Sequence, residues 1–336
     1  GKIARQQCQG EIQLPLSDCG VVSLDYRGKS GIATSIGHAP QVALIDSAKG
    51  SVMAVAEALT NIVGAPIARG IKGLSLSANW MWPCKNPGED AALYRAVEAC
   101  SDFACALGIN IPTGKDSLSM TQKYGDDKVF APGTVIISAA GEVTDVRRTV
   151  SPVLRNGVNS TLYYIDFSGD KLKTGGSALA QTLNRLGSEA PTVTDADKFA
   201  ATFNAVQALV KRGALMAAHD VAAGGLVTTL LEMTFANTNG GIQFSTDGFV
   251  ANGENDLVKI LFAENPALVV QIANNKCETA ERTLREAGVK FFAIGTPINE
   301  RAVMVNHQGS ERMLGIDYLR DVWMRSSYLL DCVQSG

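Results

Sequence analysis

The chain has 336 residues, of which 46% are hydrophobic and 19% charged, and its formal net charge is −3 at pH 7. This length favours two domains with a core each, and the composition is typical of a soluble α/β protein. No apolar run reaches the roughly 18 residues of a membrane span, and the Lys and Arg residues are scattered rather than clustered as nucleic-acid binding requires. The sequence therefore excludes a membrane span and argues against nucleic acid as a partner.

The predicted elements of the first half are short apolar strands and two longer helices. Strands are predicted at 20–24, 42–45, 73–78 and 133–140, and helices at 51–63 and 87–107, the second with acidic residues in its first turn. Residues 111–120 follow as a loop. A charged stretch at 145–157 contains Pro152 and Asn156-Gly157. We place a domain boundary there, giving domains 1–150 and 151–336.

The second half is predicted to alternate strands with helices. Strands are predicted at 161–165, 215–218, 261–262, 267–272 and 291–294, and helices at 177–186, 195–211, 226–236 and 277–287, with a loop at 219–225. This alternation predicts a second α/β layer structure. No short-period repeat or low-complexity segment is apparent in the sequence.

Cysteine and histidine usage bears on redox state and metal chemistry. The seven cysteines are odd in number, form no C-x-x-C pair and follow no secretory segment, so we expect reduced thiols in the cytoplasm. The three histidines are His38, His219 and His307, too far apart in sequence to favour zinc. If a metal binds, the sequence favours a Mg²⁺ site with oxygen ligands over a zinc site. Because the chain begins at Gly1 rather than Met, we expect a piece of a longer polypeptide.

The loop at 111–120 concentrates polar groups, because Lys115, Asp116 and Ser117 directly follow Gly114. A Walker A loop needs G-x-x-x-x-G-K-[ST], and the chain has Ile109 at the first Gly position and Asp116 at the hydroxyl position. The segment is therefore not a P-loop. It is interpreted as a donor-rich loop that contacts phosphate, with an internal Lys115 to Asp116 network as the alternative.

Three further places carry candidate ligands. Glu57 and Asn61 share one face of the helix at 51–63 with small alanines, which indicates that a chain segment or a ligand packs close, although a solvated face remains the alternative. Asp18 lies at a strand entrance, where a turn role is equally ordinary. Asp220 follows a strand at its carboxyl end, where ligands tend to lie in α/β proteins. Beside it, His219 would orient a carboxylate, contact phosphate or serve a structural role.

Two glycine pairs each precede a predicted helix, at Gly175-Gly176 and Gly224-Gly225. Backbone N–H groups at such helix starts can bind phosphate. Tight turns are the commoner use of a glycine pair.

Together these segments resemble one family, phosphoribosylformylglycinamidine synthase in its large form. The strings occur in the family's order and cover most of the chain. They are Leu16-Ser17-Asp18-Cys19, Gly37-His38-Ala39-Pro40, Ala54-Val55-Ala56-Glu57-Ala58-Leu59-Thr60-Asn61, Leu76-Ser77-Ala78-Asn79-Trp80-Met81, Pro112-Thr113-Gly114-Lys115-Asp116-Ser117-Leu118-Ser119-Met120, Gly175-Gly176-Ser177-Ala178-Leu179-Ala180-Gln181 and His219-Asp220-Val221-Ala222-Ala223-Gly224-Gly225.

The resemblance implies an α/β (α+β) fold of the aminoimidazole ribonucleotide synthetase (PurM-like) type, with a barrel-forming N-terminal domain and a C-terminal α/β sandwich. It implies that the chain is the second of two such halves in a ligase of de novo purine biosynthesis. That enzyme uses ATP and glutamine to convert formylglycinamide ribonucleotide to formylglycinamidine ribonucleotide. The expected partners are the remaining domains, including the glutaminase domain, or a second copy of the chain through exposed barrel strands. The isolated half is expected to be inactive alone.

By the same resemblance, the Mg²⁺ ligands are Asp18, Glu57, Asn61 and Asp220, and the nucleotide contacts are Ser17 and Ala222. These positions match the family's structural ADP site, and the resemblance assigns no catalytic residue. Substrate or phosphate contacts are assigned to Lys115, Asp116, Ser117 and His219. The triplet Val221-Ala222-Ala223 replaces a polar one in the family, which predicts weaker binding or the use of backbone groups. The alternatives are a non-catalytic scaffold, aminoimidazole ribonucleotide synthetase and selenophosphate synthetase.

Overall fold

The computed structural model describes residues 1–335 and confirms a mixed α/β architecture. In the first half, the helices are α1 (Pro40–Ile45), α2 (Ser47–Ile62) and α3 (Glu89–Leu107), with 3-10 turns at Gly70–Gly73 and Val146–Arg148. The strands of this half are β1 (Ile3–Arg5), β2 (Cys8–Gln9), β3 (Leu14–Pro15), β4 (Gly20–Ser23), β5 (Gly31–His38), β6 (Leu74–Met81), β7 (Asn110–Ser117), β8 (Thr121–Tyr124), β9 (Asp127–Phe130) and β10 (Thr134–Val143).

The second half begins at β11 and ends with a long helix. Its strands are β11 (Ser160–Asp166), β12 (Leu215–Val221), β13 (Gly241–Ser245), β14 (Ala267–Ala273), β15 (Phe291–Ile298), β16 (Ala302–His307) and β17 (Ser310–Gly315). Its helices are α4 (Ala178–Thr182), α5 (Ala196–Arg212), α6 (Gly225–Phe235), α7 (Asp247–Ala251), α8 (Leu257–Phe262), α9 (Asn274–Glu286) and α10 (Ile316–Ser335). No helix in the described part of the chain is both long and apolar enough to cross a membrane.

The first sheet has the order β1-β4-β5-β10-β6-β7, and helices cover only one of its two faces. Along β5 and β6 buried residues alternate strictly with less buried ones, as period-two side-chain direction requires. The buried face packs on α2, whose Leu59 and Ile62 are fully buried, and α3 lies against α2. The opposite face of the sheet carries exposed apolar side chains, including Ile36 at 58% exposure.

The second sheet has the order β12-β14-β11-β15-β13-β16-β17 and is covered on both faces around β11. Tyr163 and Ile165 of β11 belong to the core that continues into the first half, whereas Leu162 and Tyr164 face a second core beneath α6. The shared core is formed in part by Phe199 of α5, whose ring lies 5.7 Å from that of Phe103 on α3. Because this core crosses residue 150, the division into domains 1–150 and 151–336 stays a prediction.

A buried glutamine ties the two halves together near the end of α2. The side chain of Gln207 on α5 accepts a hydrogen bond from the Ile67 amide at 2.8 Å and donates to the Val63 and Ala65 carbonyls at 2.7 Å each. A fully satisfied buried amide of this kind fixes one geometry. The helix that carries Glu57 and Asn61 is thereby held against the second half.

Several sequence predictions of local structure were wrong. Residues 42–45 belong to helix α1, which Pro40 begins as a favoured first helical residue. Leu261-Phe262 end helix α8, capped by Asp256, instead of forming a strand. Apolar runs this short have no period that separates strand from helix. The sheets are largely antiparallel, an arrangement on which the sequence made no prediction.

The predicted loop at 111–120 was likewise wrong for most of its length. Residues 110–117 form β7, which pairs in parallel with β6 at the edge of the first sheet. The helix predicted at 177–186 is only the short α4. Polar, exposed edge strands lack the apolar alternation that would have indicated β7, and the same holds for β17.

The close contact between β5 and α2 generates the first prediction. An alanine at Gly37 would place its Cβ 2.3 Å from both the Ala54 carbonyl oxygen and the Ala58 amide nitrogen. We expect Gly37→Ala to lower the free energy of unfolding by about 1–3 kcal/mol through overpacking, measured by urea denaturation. The matched control is Gly20→Ala, whose Cβ would lie 3.6 Å from Thr34 Oγ1. Equal stability of the two variants would contradict the contact.

Candidate metal centre

Acidic side chains from three separate segments converge on one buried histidine. His219 of β12 contacts Asp18 Oδ1 through Nδ1 at 2.7 Å and Glu232 Oε2 of α6 through Nε2 at 3.0 Å. Asp220 Oδ1 lies 3.6 Å from the same Nδ1. Ligand atoms of Asp18, His219 and Asp220 all lie within 4.8 Å of one another. The fold therefore brings together two of the four predicted metal ligands at this point.

His219 orients a carboxylate. Burial alone would lower the pKa of His219, but the charges and hydrogen bonds of Asp18 and Glu232 raise it well above its ordinary value. Glu232 is held in turn by Trp323 of α10, whose Nε1 donates to Glu232 Oε1 at 3.1 Å. Both ring nitrogens of His219 are thus committed to carboxylates, which favours the orienting role over the predicted phosphate contact.

Asp220 is buried without full compensation. Its Oδ2 atom has no hydrogen-bond partner within residues 1–335 and is closed to solvent. Burial raises the pKa of Asp220 well above its ordinary value, and the negative charge of Asp18 adds to this, although His219 opposes it. An orphaned buried carboxylate oxygen is costly unless the carboxyl group takes up a proton or a cation binds it.

Glu57 and Asn61 approach the cluster from α2. The amide of His38, at the end of β5, donates to Glu57 Oε2 at 2.6 Å, and the side-chain nitrogen of Asn61 donates to the Ile36 carbonyl at 2.9 Å. Burial raises the pKa of Glu57, and its charge acts on Asp220. The alanine-lined face of this helix packs on β5, so a chain segment is what lies against it.

The residues present fit a hard divalent cation. Asp18, Asn61 and Arg5 line a cavity of about 10 Å³, which is the room of a single small ion or water, and Glu57 and Asp220 lie outside its lining. The available donors are carboxylate and amide oxygens, which Mg²⁺ prefers. Asp220 Oδ2 supplies the independent sign that a partner is required there. The donor set, rather than any single carboxylate, makes this a candidate metal centre.

A larger cavity of about 140 Å³ adjoins the cluster. Glu57 and Ala222 line it together with Glu264, and small side chains such as Gly176 and Ala223 leave the space open. Ala222, predicted as a nucleotide contact, therefore lines the same cavity as Glu57, a predicted metal ligand. Ser17, the other predicted contact, does not line this cavity; it lines the 10 Å³ cavity with Asp18 and donates its hydroxyl to the Gln6 carbonyl at 2.6 Å.

The Lys115 segment lies apart from this cluster. Lys115, Asp116 and Ser117 are on edge strand β7, where Lys115 Nζ donates to Ser117 Oγ at 2.8 Å. Among residues 1–335, no hydrogen bond or ion pair links these three side chains to Asp18, Glu57 or Asp220. The predicted phosphate contacts at these positions stay predictions. The alternative Lys115 to Asp116 network is replaced by a contact between Lys115 and Ser117.

The glycine pairs use their amides internally. Gly175 donates to the Glu189 carbonyl, Gly176 to the Leu186 carbonyl and Gly225 to the Ala222 carbonyl. Gly224 donates to the Glu264 carboxylate at 2.7 Å. The phosphate-binding role expected of these amides is therefore not available in this arrangement.

Sequence reasoning missed Glu232 and Glu264. Glu232 lies on an apolar helix with no local motif, and Glu264 lies between the strands predicted at 261–262 and 267–272, shortly after α8. A charged residue inside an otherwise buried helix was the available signal for Glu232, because such residues are rarely buried without a partner.

Comparisons with known proteins agree with the sequence resemblance. Residues 1–142 match the family model "FGAR-AT PurM_N-like domain", and residues 162–307 match "AIR synthase related protein, C-terminal domain". The human phosphoribosylformylglycinamidine synthase is 37% identical over 342 residues, covering 100% of this chain. The chain spans only 25% of that relative's length.

Solved structures show the same fold. PurL of Thermotoga maritima complexed with FGAR has a TM-score of 0.72 at 16% identity, covering 90% of this chain and 48% of that one. PurL of the same organism complexed with ADP has a TM-score of 0.65 at 17% identity, covering 94% of this chain and 47% of that one. These neighbours confirm a PurM-like fold for the chain.

The unpartnered carboxylate oxygen generates a stability prediction. In EDTA, Asp220→Asn is expected to leave the free energy of unfolding unchanged or to raise it by about 1 kcal/mol, because a buried uncompensated charge is removed. The contrast is Asp166→Asn on β11, which β14 separates from β12 in the same sheet. The Asp166 carboxylate accepts from Ser168 and Gly169 and pairs with Lys290 at 3.2 Å.

Asp166→Asn should lower the free energy of unfolding by about 2 kcal/mol, since it weakens satisfied hydrogen bonds. Urea denaturation of both variants beside the parent makes the comparison. An equal loss of unfolding free energy in the two variants would show that the Asp220 carboxylate has stabilising partners, as the Asp166 carboxylate does.

Proposed function

Since the chain belongs to the phosphoribosylformylglycinamidine synthase family, as one of its PurM-like halves, we propose that it works within an ATP-dependent ligase of purine biosynthesis. The reaction converts formylglycinamide ribonucleotide to formylglycinamidine ribonucleotide, with nitrogen from glutamine. The proposal rests on 37% identity to the human enzyme across the chain. The remaining partners are the other domains of such an enzyme, including its glutaminase, and the proposed location is the cytoplasm.

Within that enzyme, the chain is proposed to hold a magnesium nucleotide. One observation carries this role: the buried, unpartnered Asp220 Oδ2 beside Asp18. Asp18, Glu57, Asn61 and Asp220 would hold Mg²⁺, which supplies positive charge for the phosphate oxygens of ATP or ADP. Relatives of the same fold have been solved with ATP and with ADP.

The nucleotide is proposed to occupy the 140 Å³ cavity beside Glu57 and Ala222. The triplet Val221-Ala222-Ala223 presents no side-chain hydroxyl or carboxylate, so contacts there would use backbone groups. This supports the structural ADP site of the second half rather than a site of phosphoryl transfer. No side chain in the proposed cavity is assigned as a catalytic acid or base.

The outer face of the first sheet is proposed to close into a barrel with a homologous half. Val22 and Ile36 are 49% and 58% exposed and line an open groove of about 900 Å³. Exposed apolar patches of this kind mark interaction surfaces. In the full-length family the occupant would be the other PurM-like half, and for this chain alone it would be a second copy.

A non-catalytic scaffold is the alternative function for this half, favoured by the aliphatic triplet at 221–223. Steady-state assays of the isolated chain with ATP, formylglycinamide ribonucleotide and ammonia separate the two. Turnover by the chain alone would contradict the scaffold role, and turnover that needs the other half but is unchanged by Asp220→Asn would support it.

Mg-ADP binding by the isolated chain tests the proposed site. Isothermal titration calorimetry should detect Mg-ADP binding to the parent, and Asp220→Asn should weaken it by about 10- to 100-fold through loss of a charged contact. Asp247→Asn, at the first residue of α7 in the second half, is the matched control and should bind as the parent does. Equal affinities for all three proteins would contradict the metal assignment.

Association through the first sheet provides a separate prediction. Light scattering across a concentration series should show the mass rising toward twice that of the monomer, and Ile36→Asp should keep the chain monomeric. Tyr94→Asp is the control, because Tyr94 is also exposed, at 68%, but lies on α3. Monomeric parent protein at all concentrations would contradict self-association.

A further inference from the structure

We infer that Glu264 determines ligand specificity in the 140 Å³ cavity, because its carboxylate occupies the place that a metal-free phosphate would take. The inference rests on the proposed nucleotide role of the cavity. If the inference holds, phosphate binding by the parent protein depends on a divalent cation. Glu264, which is not among the proposed metal ligands, then has a role in selecting the ligand.

Two backbone donors converge on one oxygen of this side chain. Glu264 Oε1 accepts from the Ala178 amide and from the Gly224 amide, each at 2.7 Å. The two amides belong to turns 46 residues apart in sequence, and both turns carry glycine pairs. Gly224 is the N-cap of α6, which has no side-chain cap of its own. The carboxylate therefore acts as the anion at this two-donor cradle.

The other glycine amides offer no substitute for the cradle. Those of Gly175, Gly176 and Gly225 are already bonded to backbone carbonyls. A phosphate entering without a metal would have to displace Glu264 from two charge-assisted hydrogen bonds. Such bonds are stronger than neutral ones, so displacement is unfavourable.

Electrostatics reinforce this exclusion. Among described residues, the cavity lining includes Glu57 and Glu264 but no lysine or arginine. A metal-free phosphate would therefore face two carboxylates in a partly desolvated space, where repulsion is stronger than in water. A divalent cation held at Glu57 and Asp220 would reverse the sign of that interaction without moving Glu264.

The test measures binding of pyrophosphate in EDTA by calorimetry. It uses two uncharged replacements of Glu264, one that keeps an oxygen on the Ala178 and Gly224 amides and one that removes it. Glu264→Gln keeps an oxygen that can accept both amides, so the cradle stays filled. Glu264→Ala empties it and is expected to bind metal-free pyrophosphate roughly 10- to 100-fold more tightly than Glu264→Gln, as two charged hydrogen bonds become available. The parent should bind it more weakly than either variant.

Glu264→Ser provides a second emptied cradle should the alanine variant fail to fold, with circular dichroism confirming the fold of each protein. The inference would be overturned if the alanine and serine variants bound pyrophosphate no more tightly than Glu264→Gln does. It would also be overturned if the parent protein bound ADP equally well with Mg²⁺ and with EDTA. Failure of the proposed function is distinguishable, because it appears as absent Mg-ADP binding to the parent, whereas this inference is read from pyrophosphate without metal.

Discussion

The structure depends on how it accommodates an excess of buried negative charge. Asp18, Asp220 and Glu232 surround His219, and the charge of Glu57 reaches the same cluster from α2. His219 and the guanidinium of Arg5, which acts on Asp18, are the positive groups that face these carboxylates, and burial raises the pKa values of Asp18, Glu57 and Asp220. Such an arrangement persists only where the surrounding fold holds it in place, and a divalent cation is the partner we propose for it.

The fold supplies that rigidity through packing rather than through the charged groups themselves. Gly37 lets β5 approach α2 closely enough for the His38 amide to reach Glu57. Gln207 fixes the chain after α2 against the second half, while the shared core joins α3 to α5. The proposed metal ligands thus come from both halves, and packing outside the cluster sets the positions of the elements that carry them. The adjoining cavity is acidic as well, since Glu264 caps α6 from within.

The sequence resemblance named Asp18 and Asp220, which the fold brings together, whereas local patterns assigned several helices and strands wrongly. The pairing of Glu57 with Asn61 followed from helical spacing, and the resemblance linked both to Asp18 and Asp220. Convergence of segments some 200 residues apart depends on sheet order, which no local pattern encodes. Phosphate binding was the less common alternative for the Gly224 amide, and its observed partner, Glu264, lies 40 residues away. Lys115 was the most conspicuous residue in the sequence, yet it lies on the exposed edge strand β7. A cluster of polar residues in the sequence shows where polar groups are concentrated along the chain, but it does not show where the fold places them.

The central claim is that a divalent cation belongs to the carboxylate cluster. It is tested most directly by a crystal structure of the chain with Mn²⁺ and ADP, using anomalous scattering to locate the metal. The account predicts an anomalous peak in contact with Asp220 Oδ2 and with oxygens of Asp18, Glu57 or Asn61, and ADP phosphates on that metal. Bound ADP without a metal at these residues, or with its phosphates held at the Lys115 strand, would contradict it.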